Sequence, residues 1–161
     1  MVASGKPFNS NYAVEVSNRK KRLDGLRQEL DVKCFLKAGK EIFMNADVKI
    51  IKENGEPTLC EPRVNCPFFI LEMVKFGGSI KRVILDDVVE HRPTQNDQFV
   101  YKMNRLYRVA TTFQWAKKVS LIICGAARGE TMIVDNISIS SKDSGESCSE
   151  IVTNKRKTVS Q

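Results

Sequence analysis

Tyr101, Tyr107, Phe113 and Trp115 interleave with Lys102, Arg105 and Arg108. That spacing could stack flat rings or the apolar faces of sugars and hold negative charge beside them. Parity removes most of the group. Tyr101, Met103, Tyr107, Val109 and Phe113 fall on one side of an extended chain and read as core, which leaves Trp115, next to a turn, as the one candidate platform, against the plainer reading of a lone buried tryptophan. A second group offers hydrogen bonds: Arg19, Asp24 and Gln28 early in the chain, then Asn45, Asp47 and Lys49. The plainer reading of these six is the wet face of a half-buried sheet. Proton transfer has one candidate, Asp86-Asp87 followed by Glu90-His91, although the adjoining Arg92-Pro93 reads better as a strand end. No G-x-S-x-G, P-loop or H-E-x-x-H motif is present, and no enzyme is expected.

The elements that must position these residues alternate with period two. Ile42, Met44, Ala46, Val48 and Ile50 take turns with Glu41, Phe43, Asn45, Asp47 and Lys49. A helix would scatter the five apolar residues round its circumference, whereas a strand buries them on one face. The same pattern predicts strands over 12–17, 26–32, 68–76, 80–89, 100–109, 119–124 and 130–140, and Leu23–Val32 also fits helical spacing. Turn chemistry separates them at Lys-Ala-Gly 37–39, Glu-Asn-Gly-Glu-Pro 53–57, Gly77-Gly78, Arg92-Pro93 and Arg128-Gly129. Seven or eight short strands imply an all-β fold, an antiparallel β-sandwich or barrel. One domain over 12–140 is predicted, with a flexible segment at 1–11 and a disordered polar tail at 141–161.

With 161 residues the chain is long enough for one ordinary core. No apolar run approaches the length of a membrane span, and residues 1–11 lack the apolar stretch of a signal peptide. The net charge of +7 is uneven, with a knot at Arg19–Arg22 and an acid-free basic stretch over 102–118. It invites an anionic partner, a polysaccharide or a single-stranded nucleic acid, unless the charges are solvated surface. Five cysteines leave at least one thiol free in a monomer, and Cys60 and Cys66 are spaced for a small loop disulfide. The lone His91 and the absence of a C-x-x-C pair argue against zinc. Asn136-Ile137-Ser138 is a glycosylation sequon inside a predicted core strand.

Two stretches resemble the carbohydrate-binding modules of families 4, 9 and 22, within the galactose-binding-like jelly-roll group. The first is Tyr12-Ala-Val-Glu-Val-Ser-Asn-Arg19, then Leu23-Asp-Gly25, Gln28 and Leu30, then Leu36-Lys-Ala-Gly-Lys40 and Ala46-Asp-Val-Lys49. The second is Phe113, then Val119-Ser-Leu-Ile-Ile-Cys-Gly125, then Thr131-Met-Ile-Val-Asp-Asn-Ile-Ser-Ile139. The resemblance implies an antiparallel jelly-roll sandwich and a non-catalytic glycan-binding module of a larger, extracellular or cell-wall protein. Its ligand residues would be Arg19, Asp24, Gln28, Asn45, Asp47 and Trp115, and a structural calcium would be held in part by Asp135. The partner would be a polysaccharide, acidic by virtue of the charge, with no membrane contact and a monomeric state. Three positions depart from the family: its turn tryptophan is Leu23, its strand-end acid is Cys124, and its core-strand aromatic is Asp47. These departures support the alternative of a sandwich scaffold or protein-interaction domain that has lost sugar binding.

Overall fold

The computed structural model describes residues 13–35, 37–85, 98–111, 115–142, 148–151 and 159–160. They form two facing sheets. The larger has seven strands and the smaller four. In chain order the elements are β1 (Val14–Ser17), β2 (Leu26–Leu30), a single helical turn α1 (Val32–Phe35), β3 (Glu41–Ile51), β4 (Pro57–Thr58), β5 (Phe68–Lys75) and β6 (Ile80–Leu85). They continue with β7 (Val100–Arg108), β8 (Ala116–Cys124), β9 (Thr131–Lys142), β10 (Cys148–Ile151) and β11 (Val159–Ser160).

In the larger sheet β3 is central. It pairs with β9 along one edge and with β7 and then β4 along the other. β9 in turn pairs with β1 and β10. The smaller sheet runs β2-β8-β5-β6. Every pairing is antiparallel except β1 with β11. The antiparallel sandwich read from the sequence is therefore present. It carries eleven strands among the described residues rather than seven or eight, the additions being the short β4, β10 and β11. Leu26–Leu30 is strand, which settles the ambiguity over Leu23–Val32, and only Val32–Phe35 turn helical. Part of the expected tail at 141–161 is among the described residues. β9 runs through Lys142, and 148–151 and 159–160 are strands. The expected segment 1–11, the end of the 80–89 strand, and Asp86, Asp87, Glu90, His91 and Phe113 lie outside the described residues. Among the described residues no helix is long and apolar enough to cross a membrane.

The alternation of β3 does what period two requires. Ile42, Met44, Ala46, Val48 and Ile50 are each at most 2% exposed and face the smaller sheet. Val14 and Val16 of β1, Met132, Val134 and Ile139 of β9, and Phe69, Leu71, Val119, Leu121 and Ile123 opposite complete one core. Tyr101, Met103 and Val109 join the buried set, as parity predicted. The Tyr101 hydroxyl accepts a hydrogen bond from the Cys60 amide at 2.8 Å. Cys60 and Cys66 form the expected disulfide, and Cys34 is disulfide-bonded as well.

Cys124 is a free thiol with no exposed surface, packed with Phe68, Ile70 and Ile122 on the outer side of the smaller sheet. Burial pushes its pKa up to about 12. The neutral thiol is favoured in the fold, so its contribution is intact below the ordinary thiol pKa. It is lost as pH rises from about 9 toward 12, where the unfolded chain ionises first. A thiol reagent at pH 8 should therefore leave Cys124 unlabelled in the folded protein and label it fully in denaturant, read by peptide mass spectrometry. Rapid labelling of Cys124 in the native state would contradict its burial.

Candidate functional site

The residues singled out from sequence do not converge. Arg19 is 2% exposed. Its guanidinium donates to the carbonyls of Asp24 and Arg22, each at 2.7 Å, and to that of Ala126. Burial pulls its pKa below the ordinary arginine value. Asp24 accepts from the amides of Lys20 and Lys21 and closes the same turn. Arg22 donates to Gly125 O and Arg63 O and lies 5.0 Å over the Phe68 ring. Arg19, Asp24 and Arg22 thus clamp the 18–25 segment onto residues 123–126, so the two arginines of the basic knot are spent on carbonyls while Lys20 and Lys21 are exposed. Gln28 lies on β2 of the smaller sheet and donates to the Glu29 carbonyl. Trp115 is 69% exposed and immediately precedes β8 of the smaller sheet. The basic stretch 102–118 is divided between the two sheets, Lys102, Arg105 and Arg108 on β7 and Lys117 and Lys118 on β8.

Asn45 and Asp47 do lie together, on the outward face of β3. The register sets Phe43 opposite Leu106 and Asn45 opposite Asn104 on β7, with Ser140 and Ser138 across on β9. Outward parity on three neighbouring strands therefore builds rows across the sheet. Phe43, Asn45, Asn104, Arg105 and Leu106 line a shallow groove of about 340 Å³. Asn45 donates to the Ser138 hydroxyl at 3.1 Å, and Leu106 is 49% exposed. An apolar row beside a row of two amides can meet a pyranose ring, with carbon–hydrogen faces on one and hydroxyls on the other. A second depression of about 430 Å³ lies at the far end of the same face, lined among others by Glu15, Ser17, Ile51, Glu53, Thr131 and Ile133. Phe43, Asn104, Arg105 and Leu106 were not singled out from sequence as groove residues. The available signal was Phe43, an aromatic at the solvent-facing parity of the clearest strand.

Between the two depressions Asp47 stands opposite Asp135. The ladder shifts there, and β9 bulges at Asn136, whose φ is 49°. The bulge turns the Asn136 side chain onto Asp47, donating at 2.7 Å, while its own amide donates to Asp135 at 2.7 Å. Burial raises the pKa of Asp47, opposed by the Asn136 hydrogen bond and by Lys102. Calcium takes six to eight oxygens. Among the described residues no three histidine, cysteine or acidic side chains gather to hold a metal.

No protein-family model matches the sequence, and no curated protein matches it. The solved structures with a similar fold include two bacterial domains. One is the xylan-binding domain CBM22-1 of Paenibacillus barcinonensis Xyn10C, with TM-score 0.51 and 12% identity over 76% of this chain and 67% of that one. The other is the C-terminal family 22 carbohydrate-binding module of Clostridium thermocellum Xyn10B, with TM-score 0.50, 12% identity and the same coverage. At that identity the likeness establishes the sandwich.

Proposed function

We propose that the chain is a non-catalytic glycan-binding module of a larger extracellular protein, and that the outward face of the seven-stranded sheet is its binding surface. The observation that carries this reading is the Phe43–Leu106 row lying directly beside the Asn45–Asn104 row in one groove. The likeness of the fold to xylan-binding modules supports it. The disulfides at Cys34 and at Cys60–Cys66 support an oxidising compartment. The net charge of +7 favours an acidic polysaccharide through long-range attraction that salt weakens.

Phe43→Ala is expected to weaken binding to xylan or a uronic-acid-bearing xylan at least about 10-fold, or about 1.4 kcal/mol. Asn45→Ala should act in the same direction by a smaller factor. Titration calorimetry on protein whose thermal transition is unchanged reads both. Unaltered affinity in the Phe43 variant would remove the groove from the site. A second reading, a bare interaction scaffold, rests on Leu23 and the buried Cys124, which stand where the family places its ring and its acid. Absence of binding to every glycan by the folded wild-type protein would select it.

A further inference from the structure

The β5–β8 ladder ends at Lys75 opposite Ala116, so the next residues outward on the two chains are Phe76 and Trp115. They are 75% and 69% exposed, and Ile80, which opens β6 on the far side of the same turn, is 59% exposed. A single exposed apolar side chain is ordinary, but three at one tip form a patch. A Cβ added at Gly77 or Gly78 would meet nothing within 4 Å, so the turn stands clear of the rest of the domain.

The surroundings are cationic. The four strands of the smaller sheet carry two acids, Glu29 and Glu72, against six lysines and arginines. Glu72 is bridged by Arg27 and Arg82, and Glu29 by Lys118. Lys75, Lys81 and Lys117 make no ion pair among the described residues. A register shift between Val74 and Lys75 leaves Lys117 as an extra residue in β8, and both Lys117 and Lys118 are exposed.

We propose that Phe76, Ile80 and Trp115, with Lys75, Lys81 and Lys117 close by along the same strand ends, form a second contact site that grips a carboxylated or sulfated stretch of polysaccharide. The rings meet the apolar sugar face and the lysines meet the anions. An anionic lipid surface would satisfy similar chemistry. The disulfides favour the glycan, because attraction of basic segments to anionic lipid belongs to the cytoplasmic leaflet. The polymer class rests on the glycan reading above, whereas the residues are separate from the groove and lie on the other sheet.

The test uses the full chain with three probes: heparin, neutral xylan and phosphatidylserine vesicles. Phe76→Ser/Trp115→Ala and Lys75→Gln/Lys81→Gln/Lys117→Gln should each weaken heparin binding at least about 10-fold and leave xylan binding and the thermal transition unchanged. Phe43→Ala should weaken xylan binding while heparin binding at the tip persists. Heparin affinity equal to wild type in both tip variants would overturn the proposal. So would tip variants that lose vesicle binding while heparin affinity stays intact. Loss of the groove effect alone would count against the groove and spare the tip.

Discussion

Arg19→Met should lower the stability of the domain by at least about 3 kcal/mol and leave glycan affinity at the groove unchanged at a temperature where the variant is folded. The side chain donates to Asp24 O, Arg22 O and Ala126 O and is 2% exposed. Methionine keeps the apolar stem and removes the donors. The Arg22 carbonyl keeps the Gly125 amide as a partner, but the Asp24 and Ala126 carbonyls each lose a charged donor, at about 1–3 kcal/mol apiece and too close together to add in full. For a domain of this size about 3 kcal/mol corresponds to a fall of roughly 10 °C in the melting temperature. Lys20→Met, at an exposed neighbour, is the control and should change little. If Arg19 were a ligand contact, the pattern would invert, with affinity lost and the melting temperature held.

Gly125→Ala should yield little or no folded protein. The residue has φ 133°, and an added Cβ would lie 2.2 Å from the Cys66 carbonyl oxygen and 2.7 Å from the Pro67 Cα. Both obstacles are backbone, held beside the Cys60–Cys66 disulfide. Neither can swing aside as a side chain would, so the strand end or the disulfide loop must move. Backbone strain and steric overlap together are expected to exceed about 4 kcal/mol, at the extreme of single substitutions. Gly39→Ala separates the two effects. Its φ is 80° but nothing lies within 4 Å of the added carbon, so it should cost about 1–2 kcal/mol from conformation alone. Circular dichroism and denaturant titration of the two variants read the difference. A normally folded Gly125→Ala protein would show that the approach of Cys66 and Pro67 is looser than described.

The long strands were legible because each buries one face, and burial writes itself as alternation. β3 runs Glu41–Ile51 within the stretch its pattern marked, and β7 puts Tyr101 and Met103 in the core as their parity required. The short β4, β10 and β11 escaped because two to four residues are too few to establish a period. The site was less legible for a different reason. Arg19 and Asn45 are both polar residues beside apolar ones, and nothing local says that the first spends its donors on carbonyls while the second opens into a groove. That distinction depends on which residues the register sets opposite each other, as with Asn45 and Asn104, 59 positions apart by residue number. Parity left Trp115 as a candidate exposed ring, and it is exposed, but the sequence offered no link to Phe76, which only the end of the β5–β8 ladder supplies.

Asn136 is a spare residue, one more than the β3–β9 ladder counts. Most single deletions in a strand would throw every later side chain to the wrong side of the sheet. Excising Asn136 would instead restore strict alternation, with Asp135 still outward and Ile137 and Ile139 still inward. The hydrophobic interior would be spared. What would vanish is the amide that neighbours Asp47, so the inserted position bears on the outer surface and leaves the packing between the sheets untouched.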